Sequence, residues 1–271
     1  MSSQPKNILD RIVEARRESI AHRKRVLPEV ALKMAVEKQT SPPRDFAGAL
    51  QRDAVNIIAE MKKASPSLGV IREKYDPTAL APGLEAGGAA ALSVLTEEEF
   101  FQGSLGHLKE ARKAVKIPIL RKDFIVDPWQ VWESRAGGAD SLLLIVAVLD
   151  DATLRELVEL ARTLKMEPLV EVHSASELAR ALSAGARMVG VNNRDLRDFR
   201  VRLETSLELV EAIPEDCIAV SESGIQSADD LSRLRKAGFD AFLMGEHLMK
   251  HDDPGAALRK LLQQAQGRES A

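Results

Sequence analysis

Four charged residues interrupt apolar stretches of this chain. Glu60 and Lys62 lie in NIIAEMKK, Lys122 in PILRKDF and Glu171 in LVEVH. Lysine and glutamate set close together perturb each other's proton affinity, which suits acid–base chemistry near neutral pH. Asn192 in VGVNN and Ser223 in SESG could add hydrogen bonds to the same site. A second group of residues suits an anion. Gly224 in SESGI and Gly245 in LMGEH fall in turns, and Ser65 lies in ASPSLG. Glycine lets the backbone approach an anion, and N–H groups at a following helix start can donate to it. The alternative is a structural ion-pair network, because isolated charges are rarely buried unless paired or functional.

Side chains so far apart in sequence need a scaffold to bring them together. Eight strand-like runs supply one: residues 56–63, 89–96, 117–124, 140–146, 167–173, 187–193, 217–223 and 240–246. Their starts lie roughly 20 to 35 residues apart, enough for a helix and two loops between neighbours. LDDATLRELVELARTLK, SASELARALSAG and SADDLSRLRKAG read as helices. The first two carry Asp or Ser near the start, and the last two are followed by Gly. Near-continuous apolar strands with helices between them indicate a parallel sheet covered by helices. Eight such units close most economically into a TIM (β/α)8 barrel. A doubly wound sheet is the main alternative, but no G-x-G-x-x-G follows the first strand.

Residues 1–45 read as a helical extension packed on the barrel by one face, ending at Ser41-Pro42-Pro43, and 46–271 as the barrel itself. In such a barrel the active site lies at the C-terminal strand ends. Alternation then puts Ile58, Glu60 and Lys62 on one face, the first in the core and the others rising toward the mouth. Leu120, Lys122 and Phe124 share a face on the third strand, Leu169 and Glu171 on the fifth, and Gly190 and Asn192 on the sixth. The sixth is followed by the Arg194-Asp195-Leu196 loop. Barrel enzymes often bind phosphate after strands seven and eight, where Gly224 and Gly245 stand.

The bulk composition narrows the function. The chain has 271 residues, 45% hydrophobic and 29% charged, with a net charge of -3. That charge gives no strong basic field for nucleic acid. Its apolar runs fall far short of the roughly 20 residues that span a bilayer, and the N-terminus lacks a signal-peptide core. A single cysteine, Cys217, permits no internal disulfide and reads as inert, in keeping with a cytoplasmic location. The five histidines show no metal-site spacing, and His247 and His251 read as a solvated pair on one helix face.

IIAEMKKASPSLG, PILRKDFIVDPWQV, LVEVH, VGVNNRDL, SESGI and FLMGEHLM, in this order, resemble the indole-3-glycerol phosphate synthase family of tryptophan biosynthesis. The resemblance covers about residues 7 to 262 and makes the leader similar to that family's N-terminal extension over the substrate end of the barrel. It implies ring closure, decarboxylation and dehydration of 1-(2-carboxyphenylamino)-1-deoxyribulose 5-phosphate, a carboxy-lyase reaction needing no cofactor. By resemblance, Lys122 is the general acid that protonates the carbonyl oxygen. Lys62 contacts the substrate carboxylate and acts as an acid in dehydration, and Glu171 is the general base. Glu60 and Asn192 orient the lysines and substrate hydroxyls, with Ser223 beside them. Ser65, Gly224 and Gly245 match the phosphate site. Arg194 and Leu196 match the loop bordering the anthranilate pocket, with Phe124 an apolar wall. Family members often carry Ser or Thr where this chain has Glu246, and a carboxylate facing the phosphate would repel it. The expectation is that Glu246 offers only its backbone N–H and turns its side chain outward. The family is often monomeric, and a chain that ends just after the eighth βα unit is expected to carry no fused second enzyme. Rival readings are a phosphoribosylanthranilate isomerase or epimerase, which favour Cys/Asp or paired-Asp sets, and a noncatalytic barrel serving as a binding scaffold.

Overall fold

The computed structural model describes residues 7–195 and 199–269. Eight parallel strands close into a barrel. They are β1 (Asn56–Met61), β2 (Ala91–Leu95), β3 (Ile119–Lys122), β4 (Ser141–Ile145), β5 (Leu169–Val172), β6 (Met188–Asn192), β7 (Ile218–Glu222) and β8 (Ala241–Met244). Each pairs with its sequence neighbours, and β1 pairs with β8 to complete the circle. All eight expected runs are strands, and the three expected helices span Asp151–Thr163, Ala175–Ser183 and Ala228–Ala237. Side-chain caps start them: Asp150, Ser174 and Ser227 accept backbone N–H bonds, the last within a capping box.

Alternation along the strands sorts two cores. One residue set points outward under the helices, as Ile57, Ala59 and Met61 do on β1. The other fills the barrel: Ile58, Leu120, Leu143, Leu169, Met188, Val220 and Leu243 form one buried cluster. Phe46 and Leu50 of the short segment before β1 join this cluster, as do Ile12 and Phe124. β2 and β3 run in register, so that Leu95 lies beside Lys122, and β6 and β7 align Asn192 with Glu222. Register and pleat therefore place the last inward residue of several strands in one layer above the apolar filling.

The leader forms helices α1 (Ile8–Val26) and α2 (Glu29–Glu37). α1 buries Ile12, Arg16 and Ile20 while most of its other residues face solvent, as its apolar spacing requires. Its Arg16 guanidinium is 2.5 Å from Asp123 just past β3, with both side chains buried. Arg23 one turn-pair further pairs with Glu133 on the helix that follows β3. The basic residues of the leader thus serve in part as docking contacts to the barrel.

Candidate active site

Glu60, Lys62, Ser65, Lys122, Phe124, Glu171, Asn192, Arg194, Ser223 and Glu246 line one cavity. Gly224 and Gly245 line an adjoining recess, which shares Lys62, Ser67, Arg194, Ser223 and Glu246 with the cavity. Leu196 lies outside the described residues. The structural arrangement therefore gathers ten of the thirteen sequence candidates around one space and two more beside it.

Two ammonium groups organise the polar side. Lys62 Nζ donates to Glu60 Oε1 at 2.6 Å. Lys122 Nζ donates to Glu222 Oε2 at 2.7 Å and to Glu171 Oε2 at 3.2 Å. Both lysine side chains keep 15% of their surface exposed, enough to reach a ligand, while the three carboxylates are almost fully buried. Burial alone would push each carboxyl up. For Glu60 it is outweighed by Lys62 and then Lys122, which hold it below the usual carboxylate range. Glu171 is likewise held low against burial, by Lys122, by His173 and by a side-chain hydrogen bond from Asn192. Burial opposes the charge on Lys122 too, but Glu222, Glu171 and Glu60 prevail and raise its affinity for the proton.

Glu222 is the site residue that the sequence reading missed. Burial, with Glu171 and Glu60 as like charges, pushes its carboxyl up to about 7 despite Lys122. Its Oε1 is buried without a hydrogen-bond partner among the described residues. A signal existed, since Val220 fills the barrel and Glu222 follows it two positions later on the same face. Gly190 makes the room: a Cβ there would lie 2.1 Å from Glu222 Oε1. Gly245 does the same for Glu60, whose Oε1 would be 2.4 Å from an added Cβ. Ser223 and Gly224 both have positive φ, 67° and 81°, so the chain turns sharply after β7. The Ser223 carbonyl accepts a hydrogen bond from Asn193 Nδ2, at 3.1 Å, which fixes that turn.

Glu246 lines both the cavity and the adjoining recess. Its carboxylate accepts from Arg194 Nη2 at 2.9 Å and Lys250 Nζ at 2.7 Å. Lys250 and Arg194 hold this half-buried carboxyl below its ordinary value against its partial burial. The two cations are close enough to capture it, whereas the sequence reading had paired neither with it. Asn192 Oδ1 accepts the Arg194 backbone N–H at 3.0 Å, tying that loop to the end of β6.

The flanks of Lys122 are fixed from outside the barrel. Arg121 is fully buried and donates to Asp123 at 3.0 Å, Glu133 at 2.9 Å, Thr96 at 3.0 Å and Ser134 at 3.1 Å. Asp123 also receives Arg16 and the Thr96 hydroxyl, and its Oδ1 accepts the Phe124 N–H. The apolar side of the cavity includes Phe124, Phe101, Leu143, Ile145 and Leu243. Among the described residues, no group of three or more His, Cys, Asp or Glu is placed to hold a metal ion. Cys217 is half-buried at the other end of β7, its thiol pushed up by burial, and His247 and His251 stack edge-on. No helix among the described residues is long and apolar enough to cross a membrane.

Fold and cavity define a (β/α)8 barrel whose C-terminal mouth gathers ammonium and carboxylate groups around one cavity. The chain belongs to the indole-3-glycerol phosphate synthase family, whose model matches residues 9–261. A relative of that name from Acidithiobacillus ferrooxidans is 49% identical over 259 residues, covering 94% of this chain and 98% of the relative. Another from Burkholderia vietnamiensis is 47% identical with the same coverage. Solved structures share the fold at lower identity. The 3-hexulose-6-phosphate synthase of Salmonella typhimurium matches with a TM-score of 0.64 at 14% identity, over 79% of this chain and 99% of its own. A thiamine phosphate pyrophosphorylase from Pyrococcus furiosus gives 0.59 at 19% identity, over 79% and 96%.

Proposed function

We propose that this cavity converts 1-(2-carboxyphenylamino)-1-deoxyribulose 5-phosphate to indole-3-glycerol phosphate, CO2 and water, the activity that the names of its relatives carry. The observation that carries the residue assignment is the meeting of Lys62, Lys122 and Glu171, from three separate strands or strand ends, on one cavity with an apolar wall. The anthranilate ring lies against Phe124 and its neighbours. The phosphate enters the recess by Gly224, Gly245 and Ser65, with Glu246 at its edge.

The ring carbon bearing the carboxylate attacks the C2′ carbonyl. Negative charge develops on the carbonyl oxygen, and the Lys122 ammonium stabilises it and delivers a proton. Glu222 and Glu171 keep Lys122 charged and aimed until then. Loss of CO2 restores the benzene ring. The new hydroxyl then leaves as water with a proton from Lys62, and Glu171 takes the proton from C1′ as the indole double bond forms. Two protons are given and one is recovered, so each turnover draws one proton from solvent. Glu60 orients Lys62, Asn192 steadies Glu171, and Ser223 lies at the hydroxyl end of the substrate. No cofactor enters this scheme. The same proposal has the protein working as a cytoplasmic monomer, which sedimentation and fractionation test.

The direct test is to add the substrate and follow indole fluorescence. Silence at saturating substrate would favour another phosphosugar reaction or a binding role. Lys122→Ala should lower turnover by about 10²-fold or more, the usual worth of one acid–base group. Binding of indole-3-glycerol phosphate should stay within a few-fold, and near-normal turnover would remove Lys122 from its assigned role.

A further inference from the structure

His173 follows β5 directly and stands two residues after Glu171. It faces a carboxylate on each side of its ring. Nδ1 lies 3.3 Å from Glu177 Oε2, and the same oxygen accepts the His173 backbone N–H at 2.8 Å. Nε2 lies 3.5 Å from Glu171 Oε1. That nitrogen is buried and makes no hydrogen bond to any described residue. His173 does not line the cavity, so it reaches the reaction only through Glu171.

A neutral imidazole has one donor and one acceptor nitrogen. With ionised carboxylates on both sides, one lone pair would always face an acceptor. An imidazolium removes the conflict, because both nitrogens then donate. The cavity supplies a reason for such a cation. Glu60, Glu171 and Glu222 converge on Lys62 and Lys122, three carboxylates against two ammonium groups.

We propose that His173 is a positioning residue for Glu171: as an imidazolium anchored by Glu177, it donates Nε2–H to Glu171 Oε1, keeping the base ionised and fixing which of its oxygens faces the substrate. Glu171 Oε2 is already bound to Lys122, so the carboxylate is held from both ends. The inference rests on the assignment of Glu171 as base. The charged groups facing the ring are Glu171 on its own strand, Glu177 on the helix Ala175–Ser183 and Glu222 on β7, with Lys122 beyond Glu171. Burial lowers the proton affinity of the ring, but these carboxylates outweigh it and leave it above the ordinary histidine value.

Two measurements test the inference. The first is histidine ring NMR of the uniformly 15N-labelled protein, with the His173 signals assigned by their loss in His173→Gln. His173 should titrate above 6.5, the ordinary value, with both nitrogens protonated below its midpoint. Glu171→Gln and Glu177→Gln should each lower that midpoint. This reading needs no turnover and stands whether or not indole is formed. The second is the pH profile of kcat/KM. Removing the cation raises the proton affinity of Glu171, so the acid limb should move up by about one pH unit in His173→Gln. His173→Gln should lower kcat more than it changes KM. A midpoint at or below 6.5, or one indifferent to Glu171→Gln, overturns the proposal even if a variant fails to fold. An acid limb unmoved in folded His173→Gln does so as well.

Discussion

Binding of the product should draw a proton into the site, and Glu222 should be where it goes. Its carboxyl is pushed up to about 7 in the free protein. At pH 8 only about a tenth of it is then protonated, by simple titration. Indole-3-glycerol phosphate carries a phosphate that is already dianionic at that pH. A dianion placed about 8 Å from Glu222 would add, at an effective dielectric of 20 to 40, about 2–4 kcal/mol against its charge. That is about 1.5 to 3 pKa units, which takes Glu222 from mostly ionised to mostly neutral. The expected uptake at pH 8 is about 0.7 to 0.9 proton per product bound, with affinity weakening about three- to eightfold from pH 8 to 9 by linkage. Isothermal calorimetry at pH 8, in buffers of different ionisation enthalpy, reads the uptake from the slope of heat against buffer enthalpy. Glu222→Gln should flatten that slope, and His173→Gln separates any share carried by the imidazole. A wild-type slope of zero would refute the charge balance drawn for the cavity, whatever the turnover.

The other predictions follow from close contacts and shared charges. Gly190→Ala puts a Cβ 2.1 Å from Glu222 Oε1. It should cost about 1–3 kcal/mol of stability by overpacking and displace that carboxylate from Lys122. Chemical denaturation checks the first effect. Adding Glu222→Ala should restore stability without restoring turnover. Glu246→Gln frees Arg194 and Lys250 from a carboxylate that is otherwise held ionised at the cavity edge. Product affinity should rise about three- to tenfold at low salt, as removal of about 0.6–1.4 kcal/mol of repulsion implies. Fluorescence titration in low and high salt reads it, and an unchanged or weaker affinity would show that Glu246 does not repel the phosphate.

The barrel was legible because its signal is local. Each apolar run is short and bounded, and several are followed by a helix with its own cap, so eight strands could be counted without knowing any contact. Alternation then located Glu60, Lys62, Lys122, Glu171 and Asn192 on inward faces, since parity along a strand is set by the pleat alone. Glu222 escaped because the strand was read through Ser223, which was given the site role, whereas β7 ends at Glu222 and the left-handed turn begins at Ser223. The roles of Gly190 and Gly245 escaped for a different reason. The atoms that forbid a side chain there belong to Glu222 and Glu60, on other strands, and only register brings them close. The Arg16–Asp123 pair joins positions 107 apart, a distance over which sequence periodicity says nothing.

These unread features share one cause and bear on how the site works. Local patterning specifies where a charged side chain points, but not what neutralises it. In this barrel the neutralisation is incomplete by construction. Outside the strands, Asp123 is matched by Arg16 and Arg121, and the result is a fixed support for β3. Inside, two ammonium groups face three carboxylates, and one carboxyl rests near pH 7. A fully paired interior would hold its protons too firmly to exchange them during a turnover, because every transfer would break a buried pair. An interior with one charge in surplus leaves a proton whose position costs little to change. The stable network that anchors Lys122 and the unbalanced network that Lys122 enters are thus built on adjacent residues of one strand, facing opposite ways.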